Sequence, residues 1–246
     1  HDRLNRRPSA EILTQVVSTI DQPFVFAIDS PWGTGKTTFV KMWQQHLKNE
    51  GFPVLYFNAW ENDFAEDPLI AFIGEMNAQL ASQHRDRSKA MEYFNKAKTV
   101  GGRLALRTIP VAAKVITHGV LDVDQVYEAA VAGAFEEAIQ ERIDAYEQNQ
   151  RALSEFRENL EGFVDEIADD VADSNRPLVF LIDELDRCRP TYAVELLERI
   201  KHIFNVPGIV FVLVLDREQL AHSVRLLYGT EMNVEGYLRR FIDLSY

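Results

Sequence analysis

The sequence predicts an α/β fold: a parallel sheet covered by helices on both faces, carrying a helical insertion. Three observations point to it. Four short, nearly continuous apolar runs, at 24–28 (FVFAI), 53–58 (PVLYFN), 178–182 (LVFLI) and 208–215 (GIVFVLVL), alternate with segments of helical periodicity. The first run ends in Asp29 and leads through Ser30-Pro31-Trp32-Gly33-Thr34-Gly35 into Lys36-Thr37-Thr38, the pattern of a strand, a glycine turn and a helix start. The third run ends in the acidic pair Asp183-Glu184.

The elements follow in order. Residues 8–20 place Ile12, Leu13, Val16, Val17 and Ile20 at helical spacing, with Ser9 as the expected cap. After the first strand and its loop, Phe39, Val40, Trp43 and Leu47 form one helix face, which Gly51 closes. The second strand precedes Ala59-Trp60-Glu61-Asn62-Asp63, and residues 68–80 return to helix with Leu69, Phe72, Ile73, Met76 and Leu80 in register. From about 85 to 173 the charges recur at helical intervals and no strand is evident, so this stretch reads as an insertion into a core of 1–84 and 174–246. Two long amphipathic helices are expected there, at 126–143 and 153–171, after a mildly apolar stretch (101–121) broken by Arg103, Arg107, Pro110, Lys114 and His118. Beyond the third strand, residues 191–204 are helical, with Val194, Leu197, Ile200, Ile203 and Phe204 inward. The fourth strand stops at Asp216, and helices at 218–227 and 234–242 complete the chain.

Composition bounds the function. The 246 residues are 46% hydrophobic and 26% charged, which suits one large globular domain with a substantial core. A net charge of −12 argues against a broad nucleic-acid surface, leaving room only for a local basic groove. With Cys188 alone no internal disulfide can form, and a reducing, cytoplasmic setting is expected. The longest stretch without a formal charge, 202–215, is interrupted by Asn205, Pro207 and Gly208 and falls short of the ~18 apolar residues of a membrane span. A chain that starts at His1 and stops at Tyr246, just after a helical pattern, reads as the N-terminal piece of a longer protein.

The 30–38 stretch carries the chemistry. A strand, a glycine turn and a helix N-terminus bring free backbone N–H groups and the positive helix end to one point, which suits a polyphosphate. Gly33, Thr34, Gly35, Lys36, Thr37 and Thr38 are the expected nucleotide-binding residues, with Lys36 reaching the β- and γ-phosphates and Thr37 offering its hydroxyl to Mg²⁺. The pattern G-x-x-x-x-G-K-[ST] would place glycine at position 30, where this chain has Ser30; an altered loop entrance is expected. Asp183 is the expected second metal group, and Glu184 the group that orients or deprotonates water. Asp216 either senses the γ-phosphate or caps the following helix, and the two roles are compatible.

With these residues in view, the chain resembles the KAP family of P-loop NTPases. The likeness rests on six islands in order: 2–6 (DRLNR), 32–37 (WGTGKT), 57–60 (FNAW), 182–188 (IDELDRC), 214–217 (VLDR) and 237–241 (YLRRF). The resemblance implies a P-loop ATPase core of the additional-strand type, related to the AAA+ and STAND groups, with ATP and Mg²⁺ as ligands. It also implies a bacterial defence or exclusion setting and work as a homo-oligomer or with partner proteins of the same system. Many family members carry transmembrane helices where this chain has residues 85–173, whose charges indicate a version without a membrane span. Relatives place a trans-acting arginine near 239–240, which makes Arg239 and Arg240 the leading candidates for a catalytic cation, Arg240 first. Arg187 and Arg189, just past the acidic strand, are rivals.

The remaining singular residues have plainer expectations. Trp32 is expected to pack beneath the loop, Trp60 to be structural or to support Glu61, and Cys188 to be a small buried hydrophobe. The six histidines show no zinc spacing. The insertion is either a partner surface or an extra helical bundle. An ATPase leads; a slow or non-hydrolysing nucleotide-gated scaffold and a nucleic-acid motor are the alternatives.

Overall fold

A computed structural model describes residues 5–83, 88–107, 126–169 and 176–246. The chain runs α1 (Arg7–Ser18), β1 (Phe24–Asp29), α2 (Lys36–Asn49), β2 (Val54–Asn58), α3 (Pro68–Gln83), α4 (Ser88–Arg107), α5 (Val126–Asp169) and β3 (Leu178–Asp183). A 3₁₀ turn (Leu185–Arg187), α6 (Pro190–Ile203), β4 (Ile209–Leu215), α7 (Arg217–Tyr228), α8 (Val234–Leu238) and β5 (Leu244–Ser245) follow. The five strands form one sheet in the order β2-β3-β4-β1-β5, every neighbouring pair parallel. The expected parallel α/β architecture is therefore observed, and β4 is the additional strand, set between the phosphate-loop strand and the acidic strand.

Side-chain alternation divides the core. Phe26, Ile28, Val179, Leu181, Val210, Val212 and Val214 meet α1 and α2 on one face, through residues such as Leu13, Val40 and Trp43. Their alternates, including Leu55, Phe57, Phe180, Ile182, Phe211 and Leu213, meet α3 to α8 on the other. Phe72 of α3 is central there, with ring centroids 5.0–5.2 Å from Phe57, Phe180 and Phe204. The helices of the expected insertion join the same cluster: Phe94 lies 5.4 Å from Phe163, and Phe156 lies 5.3 Å from Phe204. Gly101 lets α4 approach α3, since a Cβ at that position would fall 2.4 Å from Ile73 Cδ1.

Several expectations need correction. Ser9 does not cap α1. That helix starts at Arg7 with Pro8 in its first turn, and Ser9 Oγ instead accepts the Tyr246 hydroxyl at 2.8 Å. Ile12, expected on the apolar face, is 55% exposed. The two helices expected at 126–143 and 153–171 are one 44-residue helix, α5. The polar stretch between them contains no Gly or Pro, and i,i+4 contacts such as Glu147–Arg151 (2.9 Å) carry the helix through it. The helix expected at 234–242 ends at Leu238, because Phe241 and Ile242 turn into the core and Asp243 exchanges hydrogen bonds with the Val25 backbone. That anchor starts β5, which the sequence pattern did not suggest. Residues 2–4 of the first island, most of 101–121, and 170–171 lie outside the described residues. Among the described residues, no helix is long and apolar enough to cross a membrane.

Candidate functional site: a phosphate loop facing an acidic turn

The loop after β1 is built by glycine. Gly33 and Gly35 have φ of 80° and 84°, the left-handed region where a side chain is strained, and Gly35 is also the N-cap of α2. Ser30 is not among the positive-φ residues, so it leaves the strand in ordinary backbone geometry. Thr34 gives its hydroxyl proton to the Pro31 carbonyl (2.9 Å), so the 2.5 Å contact between Ser30 Oγ and Thr34 Oγ1 is donated by Ser30. Lys36 Nζ folds back onto the carbonyls of Ser30 and Pro31.

Across the cleft stands the acidic strand. Asp183 shares its side of the sheet with Val179 and Leu181, the side covered by α2, and this alternation brings its carboxylate to the Thr37 hydroxyl. Asp183 is 1% exposed; Tyr56 Oη donates to its Oδ2 (3.0 Å) and the Glu184 N–H to its Oδ1 (2.9 Å). Burial pushes the Asp183 carboxyl above its ordinary range, and the hydrogen bonds from Thr37 and Tyr56 pull partly back. Thr37 and Asp183 offer hard oxygen donors, which fit Mg²⁺ rather than a softer metal. No cluster of three or more His, Cys, Asp or Glu able to hold a metal is found among the described residues.

Glu184 takes a left-handed backbone (φ 61°), rare for a residue with a side chain, and starts the 3₁₀ turn. Its carboxylate accepts from Asn58 Nδ2 (3.1 Å) and pairs with Arg187 Nη1 (2.8 Å). Loop and turn enclose a cavity of about 220 Å³ lined by Gly33, Gly35, Lys36, Thr37, Thr38, Asp183, Glu184 and Arg187, with Trp32 and Asp186. That is smaller than the roughly 300–1,000 Å³ of ordinary small-molecule pockets, a size suited to phosphates and their ion rather than a whole nucleotide.

Other predicted residues stand apart from the cavity. Asp216 follows β4 and so lies beside the acidic strand, but its Oδ1 accepts from the N–H groups of Glu218 and Gln219 (3.1 and 3.3 Å), capping α7. Arg239 is paired with Glu235 (3.1 Å), and Arg240 is exposed on the turn after α8. Trp32 is not packed beneath the loop as expected: it is 52% exposed, and its Nε1 donates to Asp186 Oδ2 at 2.5 Å. The Trp60 ring faces the Arg187 guanidinium at 5.6 Å. Cys188 is buried as expected, and burial pushes its thiol far above the ordinary range. Sequence reasoning missed Tyr56 as a partner of Asp183 and Asp186 as a partner of Trp32. Tyr56 and Asn58 alternate on the strand beside β3, a signal that becomes readable only once the strand order is known.

The model of the KAP family P-loop domain matches residues 6–245. The chain belongs to that family. It is a P-loop NTPase domain, and nucleotide binding and hydrolysis are the business of such domains. Among curated proteins none matches. Among solved structures the chain is similar to the Aeropyrum pernix ORC2 protein, described in ADPNP–ADP complexes, at 15% identity and a TM-score of 0.44. That match covers 98% of this chain and 47% of the ORC2 chain.

Proposed function

We propose that this KAP domain is a Mg²⁺-dependent ATPase whose turnover drives a conformational change or assembly, in a bacterial defence or exclusion system. One observation carries the reading: the Thr37 side chain at the start of α2 and the buried Asp183 carboxylate at the end of β3 line one cavity together with Lys36 and Glu184. Thr37 and Asp183 would hold Mg²⁺, which when bound neutralises charge on the phosphates. The loop N–H groups receive the phosphates, and Lys36 exchanges its two carbonyl partners for phosphate oxygens. Glu184 orients a water and takes its proton as the water oxygen bonds to the γ-phosphorus. The bond between that phosphorus and the bridging oxygen breaks, and ADP leaves with the electron pair. Tyr56 holds the Asp183 carboxylate in place throughout. The preference for ATP over GTP follows the family resemblance.

The deciding measurement is phosphate release by the purified chain with ATP and with GTP, across Mg²⁺ and protein concentration. Mg²⁺-dependent release supports the reading, and tight ATP binding without release would replace it with a nucleotide-gated scaffold. One observation favours that second reading: Glu184 is held by both Asn58 and Arg187. A scaffold would keep those contacts with nucleotide bound.

A further inference from the structure

The cations available to a γ-phosphate can be sorted by their present partners. Arg239 is tied to Glu235. Arg189 is committed to the loop after β2: its backbone N–H donates to Asp63 Oδ2 (2.8 Å), and its guanidinium donates to the carbonyls of Asp63 and Ala65. Among the described residues, the cations lining the cavity are Lys36 and Arg187.

Arg187 is built to move. Its ion pair is with Glu184, and its side chain is 40% exposed while that of Glu184 is 14% exposed. The Trp60 ring supports the guanidinium face without using an N–H, so most of its five donors remain available. The turn that carries Arg187 is fastened to the phosphate loop, because Trp32 of the loop donates to Asp186, the preceding residue. A γ-phosphate presents more negative charge and more acceptor oxygens than one carboxylate, in a geometry the guanidinium fork matches.

We propose that Arg187 is a catalytic residue acting in cis, exchanging its ion pair with Glu184 for the γ-phosphate of bound ATP. The exchange rests on the ATPase reading above. It couples two events that chemistry needs together: the γ-phosphate gains a second cation beside Lys36, and the Glu184 carboxylate is released to take the proton of the attacking water. ADP, lacking the γ-phosphate, leaves Arg187 on Glu184, so the turn reports which nucleotide is bound.

The test compares ATP and ADP affinities, measured by displacement of a fluorescent nucleotide with Mg²⁺ present, together with phosphate release. Arg187→Ala should cut the preference for ATP over ADP by about tenfold to a hundredfold, with ADP affinity within twofold of the wild type. Turnover should fall by at least about tenfold. Arg187→Lys keeps the charge without the fork and should recover part of the ATP preference. It also guards against an unfolded Ala variant. Glu184→Gln removes the ion pair's negative partner and should raise ATP affinity while leaving ADP affinity unchanged, a gain that Arg187→Ala in the same background should erase. An ATP-to-ADP ratio and turnover within twofold of the wild type in Arg187→Ala would overturn the proposal, as would equal losses for ADP and ATP. Failure of the underlying site looks different: Lys36→Ala would then bind both nucleotides like the wild type.

Discussion

The two walls of the cleft are made in opposite ways. The phosphate-loop wall is one contiguous stretch, 30–38, whose shape comes from two glycines at positive φ and a helix start, and whose hydroxyls and ammonium are bonded mostly within the loop itself. The acidic wall is assembled from β2, β3 and the 3₁₀ turn. Asp183, Tyr56, Asn58, Glu184 and Arg187 are bonded to one another across strands, with little exposure at Asp183 and Glu184. The contrast separates receiving an anion, which a short backbone motif can do, from controlling a carboxylate, which needs neighbours brought from elsewhere in the chain.

The largest expected effect tests the acidic wall. Glu184→Gln should keep nucleotide binding and lose turnover by about 10²–10⁴-fold, the span of a removed general base. Unchanged phosphate release would move the water-handling role to another group, Asp186 being the next in the cavity. Lys36→Ala tests the loop wall: ATP affinity should drop at least about a hundredfold, because the phosphates lose their point charge. Tight binding by that variant, seen by equilibrium titration, would break the assignment of the loop.

Asp183→Asn sharpens the comparison by opposing stability to function. Burial raises the Asp183 carboxyl above its unfolded value, so folding carries a cost when the group is charged, a cost that grows as pH rises above the unfolded value. A neutral amide escapes that penalty and can still accept from the Glu184 N–H while donating to the Tyr56 oxygen. The nucleotide-free variant should therefore melt at a higher temperature at neutral pH than the wild type, yet lose the Mg²⁺-dependent part of its ATP affinity. A lower Tm would mean that the hydrogen bonds outweigh the desolvation.

The smallest effect concerns Arg240, which is exposed and outside the cavity. If it completes a neighbour's site, activity per subunit should rise with protein concentration and Arg240→Ala should flatten that rise, by about fivefold or less, with nucleotide affinity retained. Activity independent of concentration would leave Arg187 as the second cation of the site, beside Lys36.

Much of the molecule could be read from the sequence because its signals are local. Buried parallel strands must be apolar almost throughout, so the four long strands stood out as runs, and α2 announced itself by Phe39, Val40, Trp43 and Leu47. Lys36, Thr37 and Asp183 were legible for the same reason, each sitting where a strand ends or a helix begins. The failures were of two kinds. A polar stretch in α5 resembled a break because its helicity depends on i,i+4 pairs and the absence of breakers rather than on burial. Strand β5 was invisible because two exposed residues carry no alternation; its pairing is secured by Asp243 bonding the Val25 backbone 218 residues away.

The sequence by itself determined that a glycine turn would lead from a buried strand into a helix start and that an acidic residue would end another buried strand. Left-handed glycines, a helix N-terminus and apolar runs are properties of neighbouring residues and survive without knowledge of the fold. Only the tertiary structure decided the partners of those groups: Tyr56 on Asp183, Asn58 and Arg187 on Glu184, Asp186 on Trp32. Those contacts depend on which strands lie side by side and on the direction each side chain leaves its strand. A hydrogen bond extends about 3 Å, so its partner is set by position in space and not by distance along the chain.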